Sequence, residues 1–156
     1  MNKNKTKILA IGLAAACLVT MTAFSASAKW NRLSAVGFCD GANGTTNIYP
    51  YSGGYIKAVG SGNAVCGLPN TDYMPISLIK YVNAHFYNAS STVTANICTR
   101  GYNSEVTDCE ATKSTSAIGE VTLSWTGVSL TRVADAGYMW ASMGSGDKLR
   151  LIYLTE

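Results

Sequence analysis

His85 is the only histidine of this 156-residue chain, and imidazole is the side chain best suited to proton transfer near neutral pH. A hydrolytic triad would place it beside a nucleophile and an orienting carboxylate. Ser and Thr are abundant, but no G-x-S-x-G nucleophile elbow occurs. A small hydrolase using His85 therefore remains an alternative, and no residue is predicted to be catalytic.

Carboxylates are densest at Glu105, Asp108 and Glu110. On a strand, Asp108 and Glu110 would share one face about 7 Å apart, a separation that suits an inverting pair of glycosidase carboxylates. Both flank Cys109 beside a turn, however, where a solvated sheet edge is the simpler interpretation. No D-x-[DN]-x-[DN]-G calcium loop occurs. No metal site and no cofactor are predicted.

Aromatic side chains are the third candidate, because the chain contains three Trp and nine Tyr. Tyr49, Tyr51 and Tyr55 cluster in a predicted loop rich in Gly, Ser and Asn. Planar rings with a polar tip suit the recognition of sugars and peptides, and loops often carry function. Packing is the other interpretation, since Tyr is also a good strand residue. The three tyrosines are predicted to bind a ligand.

The first 28 residues are typical of a secretory signal peptide. Three lysines precede an apolar run over residues 8–19, and residues 25–28 form an A-x-A-type cleavage site. The run is too short to span a bilayer, so we expect cleavage after residue 28 and no stable membrane insertion afterwards. Lipid attachment at Cys17 is the alternative, although the preceding residues match the lipobox pattern poorly.

Charge and composition exclude several classes of protein. Removal of the three N-terminal lysines from the twelve Lys and Arg leaves nine, equal to the nine Asp and Glu. No basic stripe remains for a phosphate backbone, so nucleic acid is excluded as a partner. Only 13% of the residues are charged and 47% are hydrophobic, which excludes coiled coils and disordered chains. The protein is predicted to be periplasmic or extracellular.

Four cysteines remain beyond the signal peptide: Cys39, Cys66, Cys98 and Cys109. Their spacings of 27, 32 and 11 residues contain no close pair of the kind that zinc sites use. An even number in an exported chain predicts two disulfides. Three pairings are possible, and the pairing of sequence neighbours closes the shortest loops.

Alternation of apolar and polar residues dominates the remaining chain, and helical periodicity is scarce. The predicted strands cover residues 33–39, 55–59, 63–67, 78–87, 92–100, 106–110, 121–125, 138–143 and 148–154. Gly-containing turns at 60–62, 101–104 and 144–147 predict three hairpins. The sequence therefore predicts one all-β domain over residues 29–156, a single antiparallel β-sandwich of seven to nine short strands with two disulfides.

Residues 66–70 form a C-x-L-P-N segment, which precedes a tyrosine-bearing run over 79–87 and the cysteines at 98 and 109. In these features the chain resembles a group of short exported bacterial proteins with a C-x-L-P-N/D segment. The resemblance covers about half of the predicted domain and implies a secreted β domain. It assigns neither an activity nor a catalytic residue.

These patterns favour a non-enzymatic binding module for carbohydrate or cell-envelope polymer. The first alternative is a protein-binding factor, such as a hydrolase inhibitor or an adhesive surface subunit, which an unpaired edge strand would favour. The second is the small hydrolase. Exposure of Tyr49, Tyr51, Tyr55, Trp125 and Trp140 side by side would indicate a ligand platform, whereas dispersal inside would indicate packing.

Overall fold

A computed structural model describes residues 29–42, 47–70, 75–89, 91–100, 107–130 and 136–156. The predicted signal peptide (1–28) and Glu105 lie outside the described residues. The described part of the chain has twelve strands, more than the seven to nine that we expected. They are β1 (Trp30–Ser34), β2 (Cys39–Gly41), β3 (Ile48–Tyr51), β4 (Tyr55–Ala58), β5 (Gly62–Leu68), β6 (Tyr81–Asn88), β7 (Val93–Arg100), β8 (Thr107–Cys109), β9 (Lys113–Thr115), β10 (Gly119–Thr126), β11 (Ala136–Met143) and β12 (Lys148–Thr155).

The strands form two antiparallel sheets, so the predicted all-β, sandwich-like fold is confirmed. The first sheet has the order β10-β6-β12-β4-β3, and β1 pairs with the remaining length of β12. The second sheet has the order β2-β5-β11-β7-β8, and β9 pairs with the other half of β7. Antiparallel sheets of this kind bury one face and expose the other.

Within the described ranges, helical structure is limited to short segments. Residues 33–39 are not one strand as predicted, because a single helical turn, α1 (Ala35–Phe38), carries the chain from β1 in the first sheet to β2 in the second. A 3-10 turn at Ile76–Leu78 follows Pro75 and leads into β6. Among the described residues, no helix has the length and apolar character that crossing a membrane requires.

The core lies between the sheets because each strand directs its apolar residues to one side. On β6, Val82, Ala84 and Phe86 are buried, whereas His85 and Tyr87 lie on the outer face. Phe86 is directly opposite Leu149 of β12. Full burial of a side chain of this size contributes about 1.5–3 kcal/mol, so alternation of this kind stabilises the sandwich.

Two of the three predicted hairpins are wrong. The turn at 60–62 joins β4 in the first sheet to β5 in the second, and the turn at 144–147 joins β11 in the second to β12 in the first. Both β11 and β12 pair with strands on both sides within their own sheets, so the turn between them crosses the core. The third prediction holds, because β7 and β8 pair antiparallel around residues 101–104, which lie outside the described residues.

Asp147 holds these crossings together at one end of the sandwich. Its carboxylate is fully buried and accepts hydrogen bonds from the Gly144 N–H (2.7 Å), the Ala89 N–H (2.8 Å) and the Ser91 hydroxyl (3.0 Å). Its carbonyl oxygen accepts another from the Ala58 N–H at 2.9 Å. The single aspartate therefore connects the turn before β12 with the β6–β7 connection and the end of β4.

The predicted disulfide pairing is confirmed. Cys39–Cys66 joins β2 to β5, and Cys98–Cys109 joins β7 to β8. Each disulfide links residues that are directly opposite in the register of two neighbouring strands. Both disulfides thus fasten a short edge strand of the second sheet to a longer inner strand.

One irregularity interrupts the pairing of β12 with β6. Leu149 is opposite Phe86 and Leu151 is opposite His85, so Arg150 is an extra residue and forms a β-bulge. An unbroken alternation over the predicted strand 148–154 would place Leu149 and Leu151 on one face, and the bulge breaks it. Leu149 is buried with Ile152, whereas Arg150 and Leu151 both line a pocket on the outer face.

Candidate functional site

The three tyrosines that the sequence singled out lie together on the outer face of the first sheet. The predicted loop is instead a hairpin, in which β3 carries Tyr49 and Tyr51 and β4 begins at Tyr55. The rings of Tyr51 and Tyr55 are stacked, with centroids 5.3 Å apart and an interplanar angle of 9°. Tyr49 and Tyr51 are 46% and 45% exposed. The hairpin thus presents a short row of accessible rings.

The turn of this hairpin depends on two glycines. Gly54 has a φ of +81°, which favours glycine, and its N–H donates to the Tyr51 carbonyl at 3.0 Å. The Ser34 hydroxyl at the end of β1 donates to the Gly54 carbonyl at 3.0 Å. A Cβ atom on Gly53 would lie 2.7 Å from the Tyr55 ring. Both glycines therefore set the position of the stacked pair.

Two lysines extend the row across the sheet. Lys57 Nζ lies 5.6 Å from the Tyr51 ring centroid. Lys148 Nζ lies 5.2 Å from the centroid of Tyr55 and 5.0 Å from that of Tyr87, so it bridges rings on β4 and β6. We call Tyr49, Tyr51, Tyr55, Tyr87, Lys57 and Lys148 the tyrosine–lysine face. Cation–π contacts at exposed sites contribute about 0.5–1 kcal/mol each and hold the rings in place.

A pocket of about 390 Å³ opens beside this face. It is lined by Arg32, Gly53, Gly54, Tyr55, Arg150 and Leu151. The guanidinium of Arg32 lies 5.7 Å from the Tyr153 ring centroid, and that of Arg150 forms a 3.0 Å ion pair with Glu120. The pocket therefore combines two arginines, a glycine turn and the edge of the aromatic row.

His85 lies on the same outer face, between β12 and β10. Its ring meets Tyr153 edge to face at 5.2 Å, and its Nδ1 atom lies 3.0 Å from the Thr122 hydroxyl. Burial lowers the pKa of His85 below its usual value; nearby Glu120 opposes this shift and Arg32 adds to it. This shift favours the neutral form of the imidazole. Among the described residues no carboxylate is hydrogen-bonded to it, which leaves the hydroxyl–imidazole pair without the orienting group of a triad.

The carboxylates at 108 and 110 do not face the pocket. Glu110 Oε1 accepts a hydrogen bond from the Ser129 N–H at 2.7 Å and so fixes the loop after β10. Asp108 lies on β8, at the edge of the second sheet. In the described ranges, His, Cys, Asp and Glu form no group of three or more that could hold a metal ion.

The tryptophans do not join the tyrosine row. Trp125 is only 3% exposed, and its Nε1–H donates to the Ala111 carbonyl at 2.9 Å. Trp140 is half-buried on β11 in the other sheet. Trp30, which the sequence did not single out, is 65% exposed on β1. It is opposite Thr155, whose other neighbour is the exposed Tyr81 of β6, so a second pair of rings flanks the far end of the same face.

The sequence analysis did not identify the basic residues of the site, which include Arg32, Lys57 and Arg150. Lys57 could have been found, because it follows Tyr55 by two residues and the period-two alternation places both on one face. Arg150 could not have been found in this way, because an unbroken alternation places Arg150 and Leu151 on opposite faces of the strand, whereas both line the pocket. Arg32 fell just outside the predicted first strand. The pairing of β1 with β12 brings it to the pocket.

Comparison with known proteins identifies no family for this chain. No protein-family model matches the chain, and no curated protein matches it. Among solved structures, TmCBM61 in complex with beta-1,4-galactotriose is similar, with a TM-score of 0.40 and 11% sequence identity. The similarity covers 81% of this chain and 87% of that chain. At these values it carries no conclusion about what this chain binds.

Proposed function

We propose that the protein is a non-enzymatic binding module whose tyrosine–lysine face binds carbohydrate, with cell-envelope polysaccharide as the ligand class. The observation that carries the proposal is the assembly of the exposed Tyr49 and Tyr51 and the half-buried Tyr55 into one partly stacked row. Their rings offer flat apolar area, and their hydroxyls and the neighbouring lysines offer hydrogen-bond donors. Sugars present both an apolar ring face and a rim of hydroxyls.

The position of this row on the outer face of β3 favours a role of the tyrosines in ligand binding over a role in core packing. Tyr49 and Tyr51 are on the side of β3 that faces away from the core, while Ile48 on the opposite face is buried. The core therefore does not need these rings. Exposed aromatic side chains that are held by stacking lose little conformational freedom when they bind a ligand.

Export to an oxidising compartment is part of the proposal. Two disulfides fasten edge strands of the second sheet, and such bonds persist in the periplasm or outside the cell. Envelope and extracellular polysaccharides are present in the same compartments. The basic start and cleavage pattern of residues 1–28 support the same destination.

The test is a binding screen of residues 29–156 against neutral polysaccharides, acidic polysaccharides and peptidoglycan, by affinity electrophoresis and then calorimetry. We expect Tyr51→Ala and Tyr55→Ala each to weaken binding to the selected polymer by about tenfold or more, as for a central aromatic contact. Tyr138→Ala, on β11 of the second sheet, is the matched control. Its affinity should equal that of the unaltered protein.

Two outcomes contradict the proposal. The first is that no polymer binds at millimolar concentration of binding sites. The second is that Tyr51→Ala and Tyr55→Ala bind as tightly as the unaltered protein while both variants keep its near-ultraviolet circular dichroism. In the second case the bound polymer is held elsewhere on the molecule.

A second candidate function, protein binding by strand addition, is favoured by β10. This eight-residue strand ends the first sheet and, of the described strands, pairs only with β6. Its sequence has no Pro or Lys, the residues that usually protect a sheet edge, and Glu120 is its one charge. An extended segment of a partner could therefore pair along it.

Ser124→Lys tests this candidate, because a lysine on an edge strand opposes pairing. Envelope proteins captured by the unaltered protein should be lost with Ser124→Lys and kept with Ser129→Lys, a matched change in the loop that follows. Equal capture by both variants would contradict strand addition.

A further inference from the structure

We infer that the pocket between Arg32 and Arg150 binds the carboxylate of an acidic sugar, so that the polymer recognised is a polyuronide. The inference rests on the proposed function and specifies its ligand class. It is carried by the juxtaposition, in one pocket of about 390 Å³, of two arginines with the first ring of the aromatic row, Tyr55. A cavity of this size is in the range of small-ligand sites and has room for a sugar ring.

Arginine is the side chain that best distinguishes a carboxylate from a hydroxyl. Its planar guanidinium donates two parallel hydrogen bonds to the two carboxylate oxygens, and it stays charged at every physiological pH. The Arg32 guanidinium is held over the Tyr153 ring, with its carbon 5.7 Å from the ring centroid. Tyr55 lines the same pocket as both arginines, so a sugar ring that contacts Tyr55 at the pocket would bring its carboxylate near the two guanidinium groups.

The β-bulge explains how Arg150 reaches this position. Successive residues of a regular strand point to opposite faces, yet Arg150 and Leu151 both line the pocket. The extra residue in β12 shifts the alternation, so that Leu149 and Ile152 stay buried on either side of it. Bulges commonly redirect a side chain in this way beside functional sites.

The distribution of charge favours an anionic ligand on this sheet. The strands of the first sheet carry four cations, Arg32, Lys57, Lys148 and Arg150, against one carboxylate, Glu120. The strands of the second sheet carry two of each sign, Arg100 and Lys113 against Asp40 and Asp108. Residues 29–156 contain equal numbers of basic and acidic residues, yet the strands of the first sheet are positive overall, which attracts a polyanion and strengthens a local contact with it.

Glu120 forms an ion pair with Arg150. The pair is 3.0 Å long and both side chains are exposed, 44% and 59%, so it contributes little to stability. A ligand carboxylate can take the place of the Glu120 carboxylate at the guanidinium. Glu120 therefore competes with the ligand, and its removal should strengthen binding.

The experiment compares polygalacturonate with its fully methyl-esterified form, which has the same sugar backbone and no carboxylate charge. Calorimetry at about 0.15 M salt limits the contribution of weak, screened attraction. We expect the charged polymer to bind about tenfold more tightly than its ester, and Arg32→Gln and Arg150→Gln each to remove most of that difference. Arg100→Gln, a matched change on β7 of the second sheet, should leave it unchanged.

Glu120→Gln supplies a result that loss of folding cannot imitate. It should tighten polygalacturonate binding several-fold and leave the ester unaffected. Poly-glutamate, a polyanion without sugar rings, should bind at least tenfold more weakly than polygalacturonate.

The outcomes separate this inference from the proposed function. Equal binding of the charged polymer and its ester, with Tyr51→Ala still weakening both, overturns the carboxylate pocket and leaves the carbohydrate site. Equal binding of poly-glutamate and polygalacturonate overturns the inference as well, because only charge would then matter. Failure of every polysaccharide in the screen overturns the proposed function and this inference together.

Discussion

Replacement of Asp147 by alanine should destabilise the protein more than any single change on its surface. The carboxylate is fully buried and accepts three hydrogen bonds, from Ala89, Ser91 and Gly144. A hydrogen bond to a charged group contributes about 1.5–3 kcal/mol, and burial of the carboxylate offsets part of the sum. We expect the free energy of unfolding to fall by about 4 kcal/mol and the melting temperature by about 10 °C.

Urea denaturation followed by tryptophan fluorescence measures this loss. The matched control is Asp40→Ala, because the Asp40 carboxylate is exposed and accepts a hydrogen bond from the adjacent Gly41 N–H. That change should cost less than about 0.5 kcal/mol. A loss below about 1 kcal/mol for Asp147→Ala would refute the role of this residue as the junction of the sheet crossings.

Three further predictions concern the site and the edge strands. Because burial keeps the pKa of His85 below 6.5 in the folded protein, the unfolded chain binds the proton first, and the free energy of unfolding falls as the pH drops below 6.5. His85→Gln should remove that part of the pH dependence in urea titrations at about pH 7.5 and 5, and an unchanged slope would contradict it. Replacement of both Cys98 and Cys109 by alanine should lower the free energy of unfolding by about 3 kcal/mol, because the disulfide closes a short loop and so restricts the unfolded chain. The same urea titration measures this loss, and a loss under about 1 kcal/mol would contradict the prediction. Gly53→Ala should displace the Tyr55 ring and weaken polymer binding, unlike Gly67→Ala on β5, which has open space around it; equal affinities would show that the ring position does not matter.

The strands and the disulfides of this molecule could be predicted from the sequence. Period-two alternation located most strands within a few residues, since burial of one face imposes it regardless of the partner strand. The pairing 39–66 and 98–109 followed from short loop closure, and each pair proved to link neighbouring strands. Both features are local in the sequence.

The connections between strands were not predictable in the same way. The glycine turns at 60–62 and 144–147 have the composition of hairpin turns, yet each carries the chain across the core. Turn residues determine that the chain reverses, whereas long-range pairing determines which sheet the next strand enters. The partners of β11 and β12 come from distant segments, and no local pattern encodes them.

In the candidate site, too, the residues set by local structure were predicted and those set by long-range pairing were not. Tyr49, Tyr51 and Tyr55 were identified from composition, and their row is built by one local hairpin. Arg32 and Arg150 were missed, because their meeting depends on the pairing of β1 with the last strand and on one extra residue within that strand.

Because Arg150 is an extra residue in β12, the outer surface at this position can change without a change in the buried residues of the strand. Arg150 faces outward and has no partner opposite it in β6. Its deletion would let the flanking segments join as a regular strand, with every buried leucine and isoleucine of β12 still available to the core. Insertions and deletions at this position could therefore change what the outer surface recognises while the interior stays as it is.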